Sequence, residues 1–174
     1  MSNDSGEIMK AFDAAGEGAS LYPADLAQDI DALIGVIFDG LSNGVYRAGL
    51  AERQDAYDAA IDSVFGTLDM LEARLDQQPY LFGDAMTLAD LRLFATLVRF
   101  DTVYATHFRC TRKRIVDSPS LWRFARRMYQ TAGVTQTIDF EDIREGYYVN
   151  DGSHNPHGLI GAQPIIDWDD KTGL

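Results

Sequence analysis

Leu81-Phe82-Gly83-Asp84-Ala85-Met86-Thr87-Leu88-Ala89-Asp90 is the stretch on which the reading of this chain turns. It has the marks of a helix start. Thr87 is a favoured N-cap residue, able to accept a hydrogen bond from the backbone N–H of Asp90. Asp90, three residues on, can reach back to the N–H of Thr87, an Asp version of the capping box. Met86 before the cap and Leu91 inside the helix fit a hydrophobic staple. Behind them Leu91 to Tyr104 is the most apolar long segment of the sequence. A helix that is hydrophobic around most of its girth belongs in the middle of a bundle. On its own the box announces a well-capped helix and no chemistry.

Working outward, three-and-four spacing of apolar residues predicts further helices. Pro23 opens one whose inner face is Leu26, Ile30, Leu33, Ile34, Ile37, Phe38 and Leu41. Ser42-Asn43-Gly44 reads as its C-terminal stop, and Val45-Tyr46-Arg47-Ala48-Gly49 as a short irregular connection. A second helix spans about Glu52 to Asp76, and the central one runs from Thr87 to about Phe108. Arg109, Arg112, Lys113 and Arg114 then fall where cations complement a helix dipole. Ser118-Pro119 starts a helix with Leu121, Phe124, Ala125, Met128 and Tyr129 inward, Arg123, Arg126 and Arg127 outward, and Gly133 at its end. A last short helix is expected within Ile138 to Tyr148. Residues 149–174 lack usable periodicity. Residues 1–19 hold one apolar patch at Ile8, Met9 and Phe12, too short to fold alone. The fold class is therefore all-α, a helical bundle of about five helices.

The totals bound the function. The 174 residues suffice for one domain with a sizeable core. A formal net charge of −12 argues against nucleic acid and anionic membranes as partners. No apolar run reaches membrane-spanning length and no secretory signal is visible, so a cytoplasmic location is expected. Aspartate dominates the acids and lysine appears only at Lys10, Lys113 and Lys171. That bias suggests solubility in high salt, where repulsion is screened; a plain acidic surface is the other reading. The single cysteine, Cys110, excludes an intrachain disulfide, and the few histidines (His107, His154, His157) give no expected metal site. Cations beside Cys110 favour a thiolate, but no catalytic partner stands at recognisable spacing. There is no P-loop, dinucleotide fingerprint, HExxH or GxSxG.

Longer strings carry a resemblance. Thr87 and Asp90 ahead of a bundle helix resemble the capping box and staple of the glutathione transferase C-terminal domain. Asn43 to Gly49, the run Ala89-Asp90-Leu91-Arg92-Leu93-Phe94 through Leu97 to Asp101, and His107-Phe108-Arg109-Cys110 are similar to the xi-class glutathione transferases, the glutathionyl-hydroquinone reductases. Asp142-Ile143-Arg144, Tyr147-Tyr148 and Asn155-Pro156 fit the same family. The similarity runs from about Asn3 to Pro164.

The resemblance implies a two-part enzyme. A thioredoxin-like half carries a Cys-Pro nucleophile and binds most of the glutathione; the helical half supplies the acceptor pocket for a small aromatic or quinone substrate. Residues 1–19 then read as the end of the thioredoxin-like half, 20–148 as the helical domain and 149–174 as an irregular tail. Asn3 to Met9 is similar to the family's Asn-Glu-Ser-Ser-Glu-Ile-Ile, so Asp4 and Ser5 match the pair that holds the γ-glutamyl end of glutathione, with the acid one methylene shorter. The co-substrate is glutathione or a related low-molecular-weight thiol. Tyr46, Tyr147 and Tyr148 match the acceptor-site hydroxyls, and Tyr104 reads as core or pocket wall. Cys110 matches a non-catalytic cysteine, and no Cys-Pro motif occurs in the sequence. The chain is thus expected to be inactive alone, to need a separate or truncated thioredoxin-like half, and to form a homodimer. The competing reading is a non-catalytic dimerisation or partner-docking module of the same fold.

Overall fold

A computed structural model describes residues 4–152 and 154–174. Asn3, the first residue of the N-terminal match, lies outside the described residues. The described residues form seven α-helices: α1 Ser5–Ala15, α2 Ala27–Val36, α3 Asn43–Gly49, α4 Gln54–Asp76, α5 Leu88–Arg99, α6 Pro119–Tyr129 and α7 Phe140–Tyr148. No strand occurs among the described residues; a lone bridge joins Tyr80 and Gly83. Among the described residues no helix is long and apolar enough to cross a membrane.

The start of α5 does more than cap a helix. Asp90 is fully buried, and its Oδ2 accepts from the Thr87 N–H and the Thr87 hydroxyl, each at 2.8 Å. Its other oxygen accepts from the Leu81 N–H at 2.8 Å. One carboxylate therefore fastens both the helix start and the loop before it, with its oxygens fully engaged. Burial pushes the Asp90 carboxyl above its ordinary value, against the pull of these donors. Behind the cap, Leu93, Leu97 and Phe100 are wholly buried, along with Leu71 and Leu75 of α4 and Leu121, Phe124 and Met128 of α6. α5 sits between α2 and α6, and α4 packs on α3 and α6.

Two expected boundaries move. The first helix begins at Ala27, because Pro23 to Leu26 forms a turn ahead of it. It also continues past Ser42-Asn43-Gly44 through a π-helical segment, Ile37–Ser42, into α3, so the expected irregular connection is helical. Gly44 serves packing here and not a left-handed cap: a Cβ would sit 2.8 Å from the Cγ2 of Val64 on α4. In the same way a Cβ on Gly49 would collide with Phe108. These glycines let α3 lie close on its neighbours.

The central helix is also shorter than its apolar run. α5 ends at Arg99, a π-helical turn carries Phe100–Tyr104, and the chain turns to Arg109, whose φ is +59°. The basic cluster is therefore not in a helix's last turn. Arg109 donates to the Gly49 carbonyl, Arg112 pairs with Asp62 and Arg114 with Asp117. A second buried carboxylate, Asp101, accepts from the Ile115 N–H at 2.7 Å and the Val116 N–H at 3.1 Å, holding the returning strand of chain. Glu72 of α4 does likewise for α6, accepting from the Ser120 and Leu121 N–H groups.

Arg126 is the clearest reversal of face. Expected outward, it is buried, and its guanidinium binds the Asp170 carboxylate and the carbonyls of Asp170 and Thr172. The tail that lacks periodicity is thereby clasped to α6, with Trp168 packed against Trp122, Tyr129 and Phe140. At the other end, the short N-terminal patch forms the full helix α1. Asp4 caps it, and Lys10 binds Asp31 of α2 at 3.0 Å over the ring of Tyr22. None of its residues is buried.

Candidate functional site

Three elements far apart in sequence bring phenols together. Tyr46 comes from α3, Tyr104 from the π-helical turn after α5, and Tyr147 from α7. The Tyr147 hydroxyl lies 2.7 Å from that of Tyr46 and 2.8 Å from that of Tyr104. Phe108, drawn in by Gly49, supports them: its ring centroid is 5.0 Å from Tyr46 and 5.7 Å from Tyr104, stacked on the latter. The hydroxyls open on a cleft of about 350 Å³ that is also lined by Ser5, Phe38, Ser42, Asn43, Arg92, Ala95, Thr96 and Arg99.

Tyr46 and Tyr104 are proton holders. Burial, aided by the bond to Tyr147, pushes Tyr46 up to about 12. Tyr104 is driven higher still, again chiefly by burial. At neutral pH both are neutral, so they act as hydrogen-bond donors and not as bases. Cys110 is the opposite of an activated nucleophile. It is fully buried, and desolvation pushes its thiol up to about 12, overriding the Arg109 charge.

Tyr148, the neighbour of Tyr147, faces the other way. It is 5% exposed against 38% for Tyr46, and its hydroxyl bonds the Thr102 carbonyl and the Thr106 hydroxyl. Successive helical residues point about 100° apart, so the pair divides its labour: one toward the cleft, one into the core. Asp4 and Ser5 sit at the far edge. The Asp4 carboxylate accepts from the Gly6 and Glu7 N–H groups as the cap of α1, and Ser5 Oγ accepts from Arg92 Nη1 at 2.8 Å. Ser5, Phe38 and Arg92 also line a second cleft of about 490 Å³ that contains Asp4, so the two spaces adjoin. The structure therefore brings Tyr46, Tyr147 and Ser5 to one cleft, seats Asp4 next to it and turns Tyr148 away.

Sequence reasoning passed over Arg92 and Arg99. Their signal was present: two arginines seven residues apart, hence on one face, interrupt the most apolar helix of the chain. Among the described residues no group of three or more His, Cys, Asp and Glu side chains is placed to hold a metal ion.

An all-α bundle with this capped central helix and this cleft is the helical domain of a glutathione transferase. Residues 54–148, more than half of the chain, match the family described as "Glutathione S-transferase, C-terminal domain", and the chain belongs to that family. Among curated relatives it is 46% identical over 178 residues to the glutathionyl-hydroquinone reductase YqjG of Escherichia coli, covering 99% of this chain and 54% of that protein. It is 40% identical over 169 residues to the glutathionyl-hydroquinone reductase PcpF of Sphingobium chlorophenolicum, covering 94% and 54%. The glutathione-bound structure of YqjG superposes with a TM-score of 0.94 at 45% identity, covering 99% of this chain and 58% of that one. A xi-class glutathione transferase from Natrialba magadii gives 0.96 at 38% identity, covering 99% and 56%. The chain spans about half the length of the curated relatives it matches.

Proposed function

We propose that this chain is the acceptor-site domain of a glutathionyl-hydroquinone reductase, acting with a thioredoxin-like half that supplies a Cys-Pro thiolate. The observation that carries this reading is the convergence of three phenols, Tyr46, Tyr104 and Tyr147, on a cleft whose opposite edge holds Ser5. The thiolate attacks the sulfur of a glutathionyl-hydroquinone. A sulfur–sulfur bond forms, the carbon–sulfur bond breaks, and its electron pair is taken up at the ring carbon together with a proton. The hydroquinone leaves, and a second glutathione resolves the mixed disulfide by exchange. Cleavage at an aromatic carbon requires the ring oxygens to be polarised, and protonated phenols do so as donors. In this reading Tyr148 anchors α7 so that Tyr147 is held in place, and the Asp4–Ser5 edge receives the γ-glutamyl end of the thiol. A cytoplasmic homodimer and tolerance of high salt belong to the same reading; the aspartate-rich surface supports the latter.

Two measurements test it. The purified chain is expected to bind 1-naphthol, a neutral ring with one hydroxyl, and Tyr147→Phe is expected to weaken that binding by about fivefold, the worth of one hydrogen bond. Absence of 1-naphthol binding overturns the acceptor-site reading. The chain alone is expected to leave glutathionyl-menadione unreduced, and turnover at enzyme-like rates overturns the need for a second half.

A further inference from the structure

The cleft has a charge that the reaction above does not use. We propose that Arg99 makes this cleft selective for aromatic acceptors bearing an anionic ring substituent, a carboxylate or a sulfonate. The inference rests on the acceptor-site reading and adds the substrate class to it. The chain as a whole carries 27 acids against 15 lysines and arginines, so its field repels anions at long range. The charged residues that line the cleft itself are Arg92 and Arg99; Asp139 and Asp142 line the adjoining space on the other side of Arg99 and Tyr147, and neither forms an ion pair with Arg99.

The two arginines are not equivalent. Arg92 is committed, donating to Ser5 Oγ at 2.8 Å with its guanidinium over the Phe38 ring. Arg99 donates from Nη1 to the carbonyl of Ala95 in its own helix. Among the described residues it forms no ion pair, so most of its five N–H donors lack an anionic partner. Arg53, Arg112, Arg114, Arg126 and Arg144 have carboxylates, and Arg47, Arg74, Arg109, Arg123 and Arg127 are held, like Arg99, by backbone carbonyls; what sets Arg99 apart from these is its place in the cleft with the phenols. Position gives Arg99 its meaning. Two helical turns, about 10 Å, separate it from Arg92. Ser5 marks the Arg92 end, while Arg99 shares the phenol end. Its positive charge acts on Tyr46, opposing the burial that holds that phenol up. A ring held by the phenols would thus lie in the cleft that Arg99 also lines. A planar guanidinium matches a carboxylate or sulfonate edge with paired donors.

Calorimetric titration of the 174-residue chain with 1-naphthol and with a ring-sulfonated 1-naphthol tests this. At low ionic strength the sulfonated probe is expected to bind about fivefold tighter, as for a partly exposed charge pair. The preference is expected to fall as salt rises, to drop to about one in Arg99→Gln, and to persist in Arg99→Lys, which keeps the charge. Because the readout is a ratio within each variant, a general loss of affinity does not imitate the effect. Equal binding of the two probes by the unaltered chain overturns the inference and leaves the acceptor-site reading standing; binding of neither overturns both. A preference that survives in Arg99→Gln, or that added glutathione abolishes, shows that the anion site belongs to another residue or to the thiol, and also overturns it.

Discussion

The two ends of α5 solve opposite problems. At its start, Asp90 gathers Leu81 and Thr87 within nine residues and leaves its carboxylate with partners on both oxygens. Past its end, in the π-helical turn, Tyr104 meets Tyr46 and Tyr147 across gaps of 58 and 43 residues, and the hydroxyl cluster opens on a cleft. The first arrangement is closed and serves the fold. The second is open, with hydrogen-bonding capacity to spare, and that surplus makes it suitable for a ligand. A fully satisfied polar network stabilises; an incompletely satisfied one at a surface recognises.

The comparison can be broken most directly at the closed end. Asp90→Ala leaves two buried backbone N–H groups without an acceptor, so a loss of about 3 kcal/mol is expected in a urea melt, with Asp90→Asn intermediate. A loss below about 1 kcal/mol, the worth of an ordinary cap, means that the Leu81 tie contributes nothing. Next in size is the split within α7. Tyr148→Phe strips a buried bond from Thr102 and is expected to cost about 1 kcal/mol, whereas Tyr147→Phe, at the cleft, is expected to change stability by less than about 0.5 kcal/mol. Reversal of that order ends the division of labour between the two tyrosines. The smallest effect is a pH limb. Tyr46 has its pKa raised from 10.0 to about 12 in the folded state, so its contribution is fully present below pH 10 and fades as pH rises toward 12. Denaturant midpoints followed across that window are expected to fall, and to fall less in Tyr46→Phe. A limb already complete at pH 9 contradicts the buried phenol cluster.

The same contrast explains what was legible in the sequence. A capping box is local, so Thr87 and Asp90 were readable from three-residue spacing, and the apolar stripes of α4 and α6 were readable from helical period. Asp90's bond to Leu81 was not, because nothing in a spacing says how a loop folds back. Gly44 misled for a related reason: a glycine after a helical stripe signals a stop unless a neighbouring helix presses on it, as Val64 does here. Arg126 looked like a surface residue because its partners, Asp170 and Thr172, lie in the aperiodic tail. At the cleft, Tyr46 and Tyr147 came from resemblance and not from pattern. Tyr104 read as core or pocket wall because it lies in the apolar run, and it is both: buried, and bonded to the cleft's hydroxyls.

The linked phenols also have a property that no single tyrosine has. Three hydroxyls joined by two bonds hold one proton more than their internal bonds consume. That spare donor emerges at one end of the row or the other, and reversing the row moves it with no change of charge and no movement of a ring. Such a row meets an oxygen that needs a proton and, turned about, one that offers it. A quinone carbonyl only accepts, whereas a hydroquinone hydroxyl also donates, so under the acceptor-site proposal the same three side chains suit a ring in either oxidation state.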